Sequence, residues 1–133
     1  MRRLLIALVI ALLLSGCATN RIQKQLTQTL DGYGATLRWG DFESALQYLD
    51  PEVLKKEPPS ALQLARYKQV RVSQYEDSGP QAVSDTEVRQ RVVIGLINLH
   101  TQRERSIIDN QVWKYDATAE RWWLESGLPK IVE

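Results

Sequence analysis

A single cysteine, a single histidine, one methionine and one phenylalanine among 133 residues leave little of the side-chain chemistry on which many sites depend. One cysteine cannot close an internal disulfide. One cysteine and one histidine cannot assemble a typical zinc site, so a metal would have to be held by carboxylates alone, and no metal or other cofactor is expected. A charge bias is missing too, with 17 basic against 16 acidic side chains. No Lys/Arg run exceeds two residues. Nucleic-acid binding needs a clustered basic surface that releases counterions, and this balance excludes it. No GxGxxG or Walker pattern marks a nucleotide site. The only long apolar run, Leu4 to Leu14, has eleven residues, whereas a permanent membrane-spanning helix needs about twenty.

The features at the amino terminus are informative as a set. Arg2-Arg3, the apolar run and the small pair Ser15-Gly16 ahead of Cys17 have the anatomy of a signal peptide. Arg2-Arg3 is followed directly by Leu4-Leu5 and lacks a preceding Ser or Thr, so the twin-arginine export motif is incomplete and the general secretory route is expected. Leu14-Ser15-Gly16-Cys17 resembles the bacterial lipobox at all four positions. That resemblance implies a diacylglyceryl thioether on Cys17, cleavage between Gly16 and Cys17, and acylation of the new terminus. Three acyl chains, at about 0.8 kcal/mol per buried methylene, exceed the two signals that stable anchoring requires. As a buried apolar residue, a disulfide partner or a metal ligand, Cys17 would be a poor choice in an exported chain with no second cysteine. The next residue is Ala18 rather than aspartate, which by resemblance to the enterobacterial sorting rule implies the periplasmic leaflet of the outer membrane.

Residues 1–16 therefore read as a lipoprotein signal peptide, 17–20 as the lipid-anchored terminus and 21–133 as one α+β domain. Loss of the signal removes two arginines and leaves 15 basic and 16 acidic groups on 117 residues, enough chain to bury a core without disulfides. Only Ala18-Thr19-Asn20 separate Cys17 from a helical pattern, so the domain should ride close to the headgroups. Ile22, Leu26, Leu30, Tyr33 and Leu37 recur at helical spacing, with Asn20 as the expected cap. Arg21 and Lys24 read as solvated charges on the polar face, with contact to lipid phosphates as the alternative. Gly40 should end this helix and Asp41 cap the next, striped by Phe42, Ala45, Leu46 and Leu49. Asp50-Pro51-Glu52 opens a third helix, Pro58-Pro59 closes it, and Ser60 with Gln63 forms a capping-box pattern for one more turn.

From Tyr67 the period changes to two. Val70, Val72 and Gln74 alternate with Arg71, Ser73 and Tyr75 as far as the breaker Asp77-Ser78-Gly79-Pro80. Val88 to His100 reads as a half-buried strand with Val88, Gln90, Val92, Ile94 and Leu96 on one side. Strands from Glu104 to Tyr115 and from Arg121 to Glu125 follow, joined by Asp116-Ala117-Thr118-Ala119. Helices first and an antiparallel meander afterwards predict an α+β protein, N-terminal helices packed on a curved four-stranded sheet. This order, with Trp113-Lys114-Tyr115 and the aromatic hairpin Arg121-Trp122-Trp123-Leu124, resembles the cone-shaped roll of the nuclear transport factor 2-like superfamily over roughly Arg21 to Pro129. The resemblance implies a cavity between helices and sheet that serves as a ligand site, a dimer seat or, in cyclase and isomerase members, an active site. No Asp/Tyr set here aligns with the carboxylate base and oxyanion hole of the isomerases.

Individual side chains point the same way. His100, at a strand end, reads as an exposed or hydrogen-bonded edge residue before it reads as a proton shuttle. Asp109-Asn110 interrupts a strand-like run; a bulge or an outward-facing residue is the first expectation. Asp109 would become a general-base candidate only if it pointed into an apolar cavity. Trp113 should face the core, while Trp122 and Trp123, being neighbours in a strand, must point to opposite faces. One of them should be exposed and able to anchor a partner. Two functions remain: a non-enzymatic envelope lipoprotein whose roll binds a protein, a small apolar ligand or a second copy, or a cavity-based cyclase or isomerase, which a buried Asp109 or Tyr33 would favour.

Overall fold

The apolar stripe of the first long segment does what its spacing requires. In the computed structural model, which describes residues 1–132 but not the side chains of residues 11–15, helix α1 spans Arg2–Arg38 and buries Leu26, Leu30, Tyr33 and Leu37. The side chains of Leu14 and Ser15 thus lie outside the described residues. Helix α1 runs through Asn20 without a break, so Asn20 is not a cap, because the backbone amides that it would satisfy already bond within the longer helix. Trp39 follows the last turn, and Gly40, at φ +74°, takes the left-handed conformation that ends the helix, with Gly40 N–H donating to Leu37 O at 2.8 Å.

Short helices then wrap one end of the sheet. Helix α2 (Phe42–Ala45) is capped by Asp41, whose Oδ1 accepts from Ser44 N at 2.9 Å, and a tighter turn, Leu46–Tyr48, continues it. Asp50 caps α3 (Pro51–Lys56) and Ser60 caps α4 (Ala61–Tyr67). Only half of the capping box forms, since the Gln63 amide donates to Tyr67 Oη at 2.8 Å instead of turning back to Ser60.

The fold is α+β, with helices against a curled antiparallel sheet whose strands are β1 (Val70–Asp77), β2 (Gln81–Ser84), β3 (Glu87–Asn98), β4 (Glu104–Asp116) and β5 (Arg121–Leu124). The spatial order is β1-β3-β4-β5. The short β2 pairs with β3 beyond the end of β1, since Asp77 faces Val92 and Gln81 faces Arg89. Asp77-Ser78-Gly79-Pro80 therefore interrupts one edge and does not reverse the chain; the reversal comes at Asp85-Thr86. A second correction concerns Gln74. A bulge between Val72 and Gln74 shifts the alternation, so Tyr75 is buried and Gln74 exposed. Gly95 permits it, because a Cβ there would stand 2.5 Å from Ser73 Oγ.

Strand β3 buries Val88, Gln90, Val92, Ile94 and Leu96 and turns Arg89 and Arg91 to solvent, the alternation expected of a strand covered on one side. Its long partner β4 places Trp113 opposite Val88, Gln111 opposite Gln90 and Asp109 opposite Val92. Past β5 the tail returns over the open end of the roll, burying Leu128 and Ile131.

Candidate functional site

The inner face of the sheet carries a chain of polar groups inside an otherwise apolar core. Asp109 is not in a bulge and does not face outward. It sits in regular register in β4 with 8% of its surface exposed. The Gln111 amide nitrogen donates to Asp109 Oδ2 at 2.9 Å and to Tyr75 Oη at 3.1 Å, and Gln111 Oε1 accepts from Trp113 Nε1 at 3.1 Å. One amide thereby ties together a carboxylate, a phenol and an indole. Burial pushes the Asp109 carboxyl up to about 6, opposed by the Gln111 hydrogen bond. Burial likewise raises Tyr75 and Tyr67 to about 12. Tyr33 is fully buried, and its phenol, which has no hydrogen-bond partner, is held well above its ordinary value first by burial and then by the charge of Asp109.

A carboxyl near pKa 6 among phenols is the raw material of a general base. Here it is walled in. Tyr33 and Trp113 meet edge to face at 5.2 Å, Tyr48 packs against Tyr33 at 5.5 Å, and Phe42 stacks on Tyr67 at 4.4 Å. The tail is tied across the helices and sheet, where Tyr67 Oη donates to Pro129 O at 3.0 Å, Arg66 to Ile131 O at 3.4 Å, and Arg105 to Val132 O. Among the described residues no group of three or more His, Cys, Asp or Glu side chains is placed to hold a metal ion.

The other residues picked out by sequence separate into core and surface. Trp122 belongs to the core: it is fully buried and its Nε1 donates to Ile22 O at 3.1 Å, so it is not a binding residue. Strand parity required one of the pair to be inside and left open which; the contact with α1 decides it. Trp123 points outward, half-buried, with the Arg121 guanidinium 3.7 Å over its ring and Nε1 donating to Asp116 Oδ2 at 3.3 Å. His100 lies exposed in the β3–β4 turn, its amide bonded to Asn98 Oδ1 at 2.8 Å.

The most exposed tryptophan is one that pattern reading passes over. Trp39, just past the end of α1, is 90% exposed. The signal was present in the sequence: it lies two residues beyond Leu37, off the apolar stripe, and is followed at once by the helix-ending Gly40. Near the middle of α1, Cys17 and Ala18 line an open groove of about 360 Å³ together with Arg21, Ile22 and Tyr115. Arg21 Nη2 pairs there with Glu120 Oε1 at 2.9 Å.

Residues 1–18 match the family model described as the prokaryotic membrane lipoprotein lipid attachment site, and Cys17 is the cysteine within that segment. The chain is a membrane-anchored lipoprotein of the bacterial envelope. No curated protein and no solved structure matches the chain. Among the described residues no helix is long and apolar enough to cross a membrane.

Proposed function

We propose that Cys17 is the acylated first residue of the mature protein, that cleavage falls between Gly16 and Cys17, and that the roll is a protein-binding module carried at the periplasmic face of the outer membrane. We further assign the roll to the nuclear transport factor 2-like class by its order of elements. The observation that carries the binding role is the contrast among the four tryptophans. Trp113 and Trp122 are buried and Trp123 lies under Arg121, whereas Trp39 stands bare at the end of α1 remote from the anchor. An α-helix rises 1.5 Å per residue, so the 22 residues from Cys17 to Trp39 set this aromatic about 33 Å from the anchor along the helix. Exposed tryptophan is the residue type most often found at the energetic centre of a protein interface.

A photo-crosslinking residue at position 39, introduced into the full chain in cells, tests this reading. A discrete adduct at 39, absent when the same probe occupies position 100, supports it; equal or absent crosslinking at both defeats it. The enzymatic reading has one observation in its favour, the raised carboxyl of Asp109 beside Tyr33 and Tyr75. It would require the tail to leave the mouth of the roll. Deletion of residues 128–133 should then let a small apolar fluorophore enter a folded protein, and continued exclusion would set that chemistry aside.

A further inference from the structure

The anchor and the hairpin between β4 and β5 are joined without slack. Cys17 and Arg21 lie on successive turns of α1, about 6 Å apart along its axis, and even a fully extended chain would span only about 14 Å over four residues. The Arg21 guanidinium is bonded to Glu120 in the hairpin, and one residue later Ile22 O accepts from Trp122 Nε1. The turn itself is closed, with Asp116 Oδ1 accepting from the amides of Thr118 at 2.9 Å and Ala119 at 3.0 Å. The hairpin cannot swing away from this part of α1 without breaking these contacts.

Membrane dimensions then fix what lies against this end. A bilayer is about 30 Å thick in its hydrocarbon and about 40–45 Å with its headgroups, leaving roughly 5–8 Å of headgroup layer on each side. A lipidated Cys17 sits at the boundary of hydrocarbon and headgroups, so Arg21, Glu120 and the turn fall within that layer or immediately above it. The surface chemistry suits that position. The groove beginning at Cys17 offers Ala18 and Ile22 beside the Arg21 cation and the Tyr115 phenol. On the outer face Arg121 covers the half-exposed Trp123. Tyr and Trp are the aromatics enriched at headgroup level, and arginine reaches phosphate from there. Mixed charges, Arg21 and Arg121 with Asp116 and Glu120, match a zwitterionic headgroup carrying both phosphate and amine.

We propose that the roll docks on the bilayer that holds its anchor, with the β4–β5 hairpin seated in the phospholipid headgroup layer and Tyr115 and Trp123 as its interfacial aromatics. The occupant of this surface is the phospholipid headgroup layer itself. The inference rests on Cys17 being the acylated residue. It fixes the orientation of the molecule, because β3 carries the chain from Glu87, beside the hairpin end of β4, to Asn98, about 36 Å away at 3.3 Å per residue.

The test uses the full lipidated chain in phosphatidylethanolamine-containing vesicles whose headgroups carry a nitroxide quencher. A fluorophore is placed on Thr118→Cys in the hairpin turn or on His100→Cys in the β3–β4 turn, Cys17 being blocked by its acyl group. Docking requires that the vesicles float with the protein and that the probe at 118 be quenched several-fold more than the probe at 100. Flotation with equal quenching at the two sites overturns docking and leaves the anchor intact. Failure to float overturns the assignment of Cys17 and the docking together.

Discussion

In the proposed mature chain, which begins at Cys17, the two ends of helix α1 make a useful contrast. At the anchor end, residues 17–22 are engaged by the β4–β5 hairpin through an ion pair, an indole-to-carbonyl hydrogen bond and a shared groove. At the far end the helix stops at Gly40 and leaves Trp39 bare. An indole stands at each end, Trp122 of β5 against Ile22 and Trp39 on the helix itself, yet only the first is used by the fold. The difference shows that an indole near a helix end is a structural residue when a strand crosses it and a surface residue when a left-handed turn follows. On the proposed reading, one end holds the molecule to its membrane and the other meets its partner.

The contrast can be broken most severely at the anchor end. Trp122→Ala removes a fully buried indole and its bond to Ile22, and Trp113→Ala removes the indole around which Tyr33 and Tyr48 pack. Either should cost about 3–5 kcal/mol, measured by chemical denaturation, and leave little folded protein. A loss below about 1 kcal/mol would mean that the core closes differently.

The next effect lies between the two ends, at Asp109. Its folded pKa, about 6, is raised above the usual 3.8 by burial. The folded protein therefore holds a proton that the unfolded chain has lost over this interval, and stability should fall as pH rises from about 4 to about 6, then level off. The fall is of order 3 kcal/mol at about 1.4 kcal/mol per pKa unit. Asp109→Asn, which keeps an acceptor for Gln111, should flatten that slope and stabilise the protein at neutral pH. An unchanged pH profile would show that Asp109 does not carry it.

Trp123→Ala should cost about 1 kcal/mol, from a stacked guanidinium and a half-buried ring. A value near that of Trp122 would show the hairpin to be covered on both faces. Trp39→Ala should be nearly silent, within about 0.5 kcal/mol, as exposed substitutions are. The same substitution should abolish association with the proposed partner, scored by a crosslinking probe placed elsewhere on the α1–α2 turn; retained crosslinking would remove Trp39 as the anchor.

Much of this architecture can be read in one dimension. The α1 stripe from Ile22 to Leu37, the caps Asp41, Asp50 and Ser60, and the inward set of β3 all follow from local periodicity and local hydrogen bonding, and each appears where the pattern puts it. Two departures have one physical cause. The bulge at Ser73 and the continuation past Ser78-Gly79-Pro80 depend on how β1 and β2 meet β3, and nothing local to either segment encodes that register. Asp109 departs from its expected position for a related reason. A polar residue in an apolar run suggests an irregular backbone or an outward side chain; here Gln111, two residues along the same strand, bonds Asp109 and is itself held by the distant Tyr75.

The sequence by itself determined the address and the class: a lipid attachment site at the amino terminus, helices before strands, and no metal-binding or nucleotide motif to direct the chemistry. These are local properties, set by spacing, caps and side-chain type. Only the tertiary structure decided which tryptophan is free, where Asp109 sits and which turn lies beside Cys17. Each of those depends on pairs far apart in the chain, Ile22 with Trp122, Tyr75 with Gln111 and Arg21 with Glu120. Burial and mutual proximity are properties of such pairs, and a linear pattern contains only one member of each at a time.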